Sequence, residues 1–217
     1  MESDGTRSTY TFSTNYGVPF RPQWSLFLGE FAGRPGVRML EIGSFEGQSA
    51  IWFLENIVTG AGSSITCVDL FLPFYSDRFD QNIAASGMAA RVTKLRGDSK
   101  EVLPSLAPLS FDVLYVDGGH CEEEVWWDAL QAWRLAKPGA IIIFDDYLWE
   151  SQLPPEKRPQ RAIDRFLARR SGRLELMHKD YQVIVRKLPS PPFRRFRRLC
   201  SKLFRWTVAL GRTRMNP

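Results

Sequence analysis

Five apolar segments of strand length alternate with helical segments between residues 37 and 144, and this alternation restricts the chain to a few folds. The strand-like segments are Val37–Ser44, Ser64–Phe71, Arg91–Arg96, Phe111–Val116 and Ala140–Phe144. Strands separated by helices indicate βαβ units, in which a parallel sheet carries helices on both of its faces. The sequence therefore predicts an α/β fold built on a twisted, mostly parallel sheet.

The helical segments lie between and after these strands. Their predicted ranges are Gly47–Val58, Arg78–Gly87, a short helix after Asp98, Cys121–Ala136 and Pro159–Arg170. Pro138 and Gly139 predict a turn that precedes the fifth strand. Beyond the last helix, Leu174–His178 and Gln182–Leu188 flank a short polar stretch and predict an antiparallel closing pair.

The length and charge of the chain indicate one domain with a distinct tail. A chain of 217 residues that is 44% hydrophobic can bury a single core, so we assign 1–188 to one domain, with 1–36 as an N-terminal cap segment. The tail, 189–217, has eight basic residues and no acids, which leaves 21 basic and 24 acidic residues elsewhere. Because the body has no basic excess, the composition gives no support for nucleic-acid binding.

The tail is predicted to be a basic amphipathic helix that follows a proline-rich linker. Apolar residues recur in it at spacings of three and four, from Phe193 to Leu210, with arginines between them. Such a helix can lie on an anionic membrane surface or bind an acidic partner. The alternative is that it packs on its own body or on the second copy of a homodimer.

Three sequence features favour a cytoplasmic location. Cys67, Cys121 and Cys200 are odd in number and far apart, which is typical of free thiols in a reducing compartment. No uncharged apolar run reaches the length of about 18 residues that a membrane span needs. The N-terminal residues are polar and lack the apolar centre of a signal peptide.

Acidic residues follow four of the predicted strands. Glu41 lies in the first strand, Asp69 and Asp117 end the second and fourth, and Asp145 and Asp146 follow the fifth. The carboxyl ends of parallel strands meet at one edge of the sheet, where ligands bind in such folds. We therefore expect these acids to face a shared crevice.

The turn after the first strand predicts a cofactor site. Its pattern, E-x-G-x-x-x-G-x-S, lacks the middle glycine of dinucleotide sites, and Glu46 beside it disfavours a diphosphate. The acidic residues at this edge favour a cofactor with a positive charge. Asp69 is placed to accept hydrogen bonds from ribose hydroxyls, and the turn after the third strand could enclose an adenine. Together these features predict S-adenosylmethionine. The predicted cofactor residues are Glu41, Gly43, Ser44, Gly47, Gln48, Ser49, Asp69, Leu70, Gly97, Asp98, Ser99 and Asp117. The alternative is an ordinary βα turn that binds nothing.

Three carboxylates predict a metal site at the same edge. Asp117, Asp145 and Asp146 follow two strands that the fold places side by side. Carboxylate oxygens suit Mg²⁺ first, or else Mn²⁺ or Ca²⁺. Alternatively, Asp145 and Asp146 cap the next segment or contact the adenosine, with no metal.

Five motifs in order carry a resemblance to a known family. They are EIGSFEGQSA, VDLF, RGDS, YVDGGH and LAKPGAIIIFDDY, within residues 37–147. In these motifs the chain resembles class I, Rossmann-like, metal-dependent O-methyltransferases of the catechol and caffeoyl-coenzyme A type. It is still more similar to their macrocin-type branch, which methylates sugar hydroxyls of macrolides. Where the catechol enzymes have an asparagine ligand and a lysine base, this chain has Asp146 and His120.

The resemblance implies methyl transfer from S-adenosylmethionine to a hydroxyl of a sugar or of a natural-product alcohol or phenol. In that reaction His120 is the predicted base, and Asp117 acts with it through the metal. His120 could instead be a structural hydrogen-bonding residue. Two other functions stay open: a metal-independent methyltransferase that acts on a carboxylate or nitrogen, and a non-catalytic partner protein with the same fold.

Overall fold

The computed structural model of the protein describes residues 10–189. In this part of the chain seven strands form one sheet in the order β3-β2-β1-β4-β5-β7-β6. The strands are β1 Arg38–Ile42, β2 Ser64–Asp69, β3 Val92–Arg96, β4 Phe111–Val116, β5 Ala136–Phe144, β6 Leu174–Lys179 and β7 Val183–Lys187.

The first five strands run parallel, and the last two close the sheet in the antiparallel sense. β1 pairs with both β2 and β4, β2 pairs with β3, and β4 pairs with β5, all in parallel. β7 pairs antiparallel with β5 and with β6. The predicted α/β fold, with its mostly parallel sheet and antiparallel closing strands, is confirmed.

Between residues 10 and 189, six α-helices surround the sheet. They are α1 Arg21–Leu28, α2 Gln48–Asn56, α3 Pro73–Ala85, α4 Ser99–Val102, α5 Glu122–Leu135 and α6 Gln160–Arg170. Alternate residues of the central strands pack into two separate hydrophobic clusters, one on each face. In β4, for example, Val113 and Tyr115 belong to one cluster while Leu114 and Val116 belong to the other. Because both faces are covered, every residue of β4 is buried, which explains the uninterrupted apolar strands of the sequence.

Two predicted element boundaries were wrong. Pro138 and Gly139 lie inside β5, which begins at Ala136, because a register shift opposite Phe111–Val113 accommodates them in an irregular pairing. α3 begins at Pro73, five residues before the predicted start, since proline suits the first turn of a helix. The short helix α1 was not predicted. It is fixed by the fully buried Trp24, whose Nε1 donates to Oε1 of Gln182 at 2.9 Å.

The N-terminal segment 10–17 is held on the body of the protein by hydrogen bonds. The backbone N–H of Thr11 donates to Oδ1 of Asn82, and Nδ2 of Asn82 donates to the Thr11 carbonyl. The predicted amphipathic tail, 189–217, lies outside the described residues apart from Pro189. Within the described chain, no helix is long and apolar enough to cross a membrane.

The turn that joins β1 to α2 requires glycine at position 43. Gly43 has φ +84°, and its N–H donates to the Val68 carbonyl at 2.8 Å. A Cβ at this position would lie 1.9 Å from the carbonyl oxygen of Asp117, the first residue after β4. The turn therefore packs its backbone directly against the end of the neighbouring strand, which brings two acid-bearing turns together.

We expect Gly43→Ala to destabilise the protein much more than Gly62→Ala, a matched substitution. Both glycines have positive φ values, but an added Cβ at Gly62 meets nothing within 4 Å. Gly62→Ala should therefore lower the free energy of unfolding only by the strain of a positive φ at alanine, roughly 1–2 kcal/mol. Gly43→Ala should lower it by more than about 4 kcal/mol, because backbone atoms must also move. Urea denaturation measures both. Equal losses for the two variants would contradict the close approach of Gly43 to Asp117.

Candidate active site

A cavity of about 880 Å³ opens at the carboxyl ends of the parallel strands. Its walls come from the N-terminal segment, from the turns after β1 to β5 and from the hairpin between β6 and β7. The volume lies in the range of small-molecule and cofactor sites, which is about 300–1,000 Å³. The cavity therefore occupies the edge at which the sequence predicted a crevice.

Most of the predicted cofactor residues line this cavity. They are Gly43, Ser44, Gln48, Ser49, Asp69, Leu70, Gly97, Asp98, Ser99 and Asp117. Glu41 and Gly47 are not among the lining residues. Gly47 is the N-cap of α2 with φ +83°, and a Cβ there would lie 3.0 Å from the ring of Phe79, so this glycine faces α3.

Asp69 holds the glycine turn in place. Its Oδ2 accepts hydrogen bonds from the backbone N–H groups of Ser44 and Phe45 at 2.8 and 2.9 Å, and its Oδ1 accepts one from Phe71 at 2.7 Å. A carboxylate has about four acceptor positions. One acceptor position therefore remains for a ligand hydroxyl, which is the role predicted for Asp69.

Glu41 lies behind the cavity wall. It is fully buried, and its Oε1 accepts a 2.6 Å hydrogen bond from Ser49, whose side chain lines the cavity. Burial raises the pKa of Glu41 to about 7, although the nearby side chains of Ser44, Ser49 and Cys67 oppose the rise. Glu41 is therefore a buried acid that a positive charge in the cavity would help to ionise.

Glu46 is paired in the structure. Its Oε1 lies 2.9 Å from Nη1 of Arg78, and both of its oxygens accept hydrogen bonds from Ser13. The negative charge that the sequence placed beside the turn is thus compensated, and it binds the N-terminal segment to the turn. Gln48 adds a second link, because its Nε2 donates to the Thr14 carbonyl at 3.0 Å and its Oε1 accepts from Gly17 at 3.2 Å.

The side chains of Asp117, His120 and Asp146 form a second cluster in the cavity wall. Each offers one ligand atom, and these atoms lie within 4.8 Å of one another. Nε2 of His120 lies 2.7 Å from Oδ2 of Asp146, and the hydroxyl of Tyr181 donates to Oδ1 of Asp146 at 2.9 Å. The hydrogen bond with Asp146 is the main reason that the pKa of His120 is raised.

Asp145 also lines the cavity, but its oxygens are already bonded. Oδ2 accepts hydrogen bonds from the Tyr115 hydroxyl and from Nε2 of Gln182, the latter at 2.9 Å. Oδ1 accepts the backbone N–H of Asp146 at 2.8 Å. Burial, and then the charge of Asp146, raises the pKa of Asp145 to about 6. The close group therefore contains His120 in addition to Asp117 and Asp146, while Asp145 lies beside it.

The excess of negative charge around Asp117, His120 and Asp146 favours the binding of a cation. Burial raises the pKa of Asp117 well above its usual range, and the nearby negative charges of Asp145, Asp146 and Glu41 raise it further. Two carboxylates within a few ångströms of each other suit Mg²⁺ or Mn²⁺, whereas an imidazole is a more common ligand of later transition metals. The residues present therefore fit a divalent ion, with Asp117 and Asp146 common to the predicted and the observed sets.

Aromatic residues lie around His120 and Asp146. The ring of Trp149 lies 4.6 Å from that of His120, and Tyr181 stacks on Phe20 at 5.4 Å. Trp149, Tyr181 and Phe20 all line the cavity. Tyr181 lies in the β6–β7 hairpin. The pairing of β7 with β5 places this hairpin beside Asp146.

Comparison with known proteins identifies the central part of the chain. Residues 40–147, close to half of the chain, match the family described as a methyltransferase domain. A catechol O-methyltransferase of Mycobacterium tuberculosis is 34% identical over 114 residues, which is 51% of this chain and 48% of that protein. A catechol O-methyltransferase of Niastella koreensis is 25% identical over 131 residues, which is 58% of this chain and 56% of that protein. The chain thus spans about half the length of these curated relatives.

Solved structures share the fold at low sequence identity. The O-methyltransferase from Bacillus cereus in complex with S-adenosylhomocysteine has a TM-score of 0.61 at 18% identity and covers 83% of each chain. The O-methyltransferase TomG from Streptomyces achromogenes, which is involved in tomaymycin synthesis and was solved with S-adenosylmethionine, has a TM-score of 0.60 at 20% identity and covers 82% of each chain. Residues 40–147 therefore match a methyltransferase domain, and the described chain has the Rossmann-like fold of these solved methyltransferases.

Proposed function

We propose that this protein transfers the methyl group of S-adenosylmethionine to a hydroxyl of a small molecule, either a sugar or a natural-product alcohol or phenol. The observation that carries the proposal is the meeting of two features in one cavity. The glycine turn with Asp69 lies in the same cavity wall as the group formed by Asp117, His120 and Asp146. The residues proposed to bind the cofactor and those proposed to activate the hydroxyl therefore line the same cavity.

His120 is the proposed general base. Asp146 fixes the imidazole through its 2.7 Å hydrogen bond and favours the protonated form, so the ring can accept and hold the acceptor's hydroxyl proton. The acceptor oxygen forms a bond to the methyl carbon while the carbon–sulfur bond breaks and its electron pair moves to sulfur. The remaining contribution of the protein is orientation and the exclusion of water by the aromatic rings near His120.

Asp117 and Asp146 are the proposed ligands of a divalent ion, for which Mg²⁺ is the first candidate. When bound, such an ion orients a hydroxyl and lowers its pKa. The positive charge would also offset the mutual repulsion that raises the pKa of Asp117. Asp145 is a further candidate ligand beside them, although it would have to exchange hydrogen bonds with Tyr115 and Gln182.

A metal-free O-methyltransferase is the second candidate function. The observation in its favour is the His120–Asp146 pair, because an imidazole oriented by a carboxylate can act as a base without a metal. The two candidates share the cofactor, the acceptor class and His120. They differ in whether Asp117 is needed to hold an ion.

A screen of acceptors tests the proposed activity. The protein is incubated with S-adenosylmethionine and panels of sugars, macrolides and phenols, and products with one added methyl group are detected by mass spectrometry. We expect at least one hydroxyl acceptor, and we expect His120→Gln to lower the rate about 100-fold to 10,000-fold. His178→Gln is the matched control, since His178 contacts the Phe27 ring and is not among the cavity-lining residues. Methylation only of carboxylates or amines, or an unchanged rate in His120→Gln, would contradict the proposal.

Binding of Mn²⁺ tests the metal without knowledge of the acceptor. Electron paramagnetic resonance counts bound Mn²⁺ in the protein saturated with S-adenosylhomocysteine. We expect one site, with affinity lowered at least about tenfold by Asp117→Asn or Asp146→Asn because each substitution removes a charged ligand. Asp80→Asn, a substitution at an acid that is 59% exposed and paired with Lys94, should leave binding unchanged. Absence of binding, together with activity that survives a chelator, would favour the metal-free route.

A further inference from the structure

α5 carries a buried carboxylate that the proposed function leaves without a role. Asp128 is 1% exposed and lines the cavity. Its Oδ1 has no hydrogen-bond partner among residues 10–189. A buried polar atom without a partner destabilises the folded protein, and more so if the group is charged. Such an atom beside a ligand cavity is a candidate acceptor for a donor on the ligand.

The surroundings of Asp128 place it between the turns that follow β3 and β4. A Cβ added to Gly118 would lie 3.1 Å from Oδ2 of Asp128, so the carboxylate lies against the backbone after β4. On the other side, the Ser99 hydroxyl interacts with it, and the charges of Asp98 and Lys100 act on it. Asp128 is therefore next to the turn that the sequence assigned to adenine.

The ionisation of Asp128 determines which ligand groups suit it. Burial raises its pKa to about 6, and Ser99 opposes this rise. Near pH 7 the carboxylate is mostly ionised, so that both oxygens accept hydrogen bonds and neither donates. A ligand atom opposite Oδ1 must then be an N–H or O–H donor, since a carbonyl oxygen there would be repelled.

An adenosyl group offers few donors at this position. Asp69 has one free acceptor position for the ribose hydroxyls, at the end of β2. The base is attached to that ribose, and its donor is the 6-amino group. Asp98 already uses one oxygen to cap α4 through the Lys100 N–H at 2.8 Å. Asp128 is thus an orphaned acceptor beside the predicted base site.

We propose that Oδ1 of Asp128 accepts a hydrogen bond from the 6-amino group of adenine and makes the cavity selective against 6-oxopurines. The inference rests on the proposed use of an adenosyl cofactor. In a hypoxanthine analogue the amino group is replaced by a carbonyl oxygen, which would face the carboxylate and leave it unpaired. Sites that leave a buried polar group unpaired with the wrong ligand discriminate strongly.

Calorimetric titration with two ligands tests this role without any methyl acceptor. S-adenosylhomocysteine and S-inosylhomocysteine are titrated into the wild-type protein, Asp128→Asn and Glu123→Gln, an exposed acid of the same helix as control. We expect the wild type and Glu123→Gln to prefer the adenosyl ligand at least about 100-fold, which is about 2.7 kcal/mol. The preference should fall at least about tenfold in Asp128→Asn, because an amide can donate to the carbonyl oxygen of the analogue.

The outcomes separate this inference from the proposed function. If the wild type binds neither ligand, the adenosyl cofactor itself is wrong. If the wild type binds both ligands equally, or if Asp128→Asn keeps the full preference, the role of Asp128 is wrong while the cofactor stands. Circular dichroism checks folding, and Asp128→Ser serves as a second variant. If neither variant folds, equal affinity of the wild type for the two ligands still overturns the proposal.

Discussion

The gathering of carboxylates at one edge of a parallel sheet is the constraint on which the rest of this structure depends. Because β1, β2, β4 and β5 run in the same direction, the acids that follow or end β2, β4 and β5 meet at a single cavity, and Glu41 of β1 lies behind its wall. Desolvation and mutual repulsion destabilise their charged forms. The raised pKa values of Glu41, Asp117 and Asp145 are the consequence. A fold that keeps these acids together gains most when cations bind among them.

The acids divide into two kinds according to their partners. Asp69 is satisfied by three backbone N–H groups, and Asp145 by Tyr115, Gln182 and its own neighbour, so both shape the walls. Asp117, Asp146 and His120 each place one potential metal-ligand atom close to those of the other two, at the cavity. We infer that Asp69 and Asp145 mainly position the turns, with one acceptor position of Asp69 left for the ligand, and that the second kind meets the ligand. The same distinction identifies Asp128, which is buried like a wall residue but keeps one oxygen without a partner.

Local sequence patterns predicted the strands and most cavity residues because both depend on neighbours in the chain. Apolar runs that are buried on both faces have a short-range signature, and glycine at position 43 is required by a turn whose pattern is visible. The partners that come from distant segments had no such signature. Trp24 reaches Gln182 across 158 positions, and the Tyr181 hydroxyl reaches Asp146 across 35. The place of the β6–β7 hairpin follows from strand order, which short-range periodicity does not specify.

The dependence of stability on pH, with and without ligands, tests the central claim most directly. An acid with a raised pKa favours the folded state when protonated, so this contribution is present below its unfolded value near 4.5 and is lost as pH rises to about 7 for Glu41. We predict that the free energy of unfolding of the unliganded protein falls over this interval. Saturating S-adenosylmethionine and Mg²⁺ should remove most of the fall. A stability curve that is flat in this interval, or one that bound ligands leave unchanged in slope, would contradict the account.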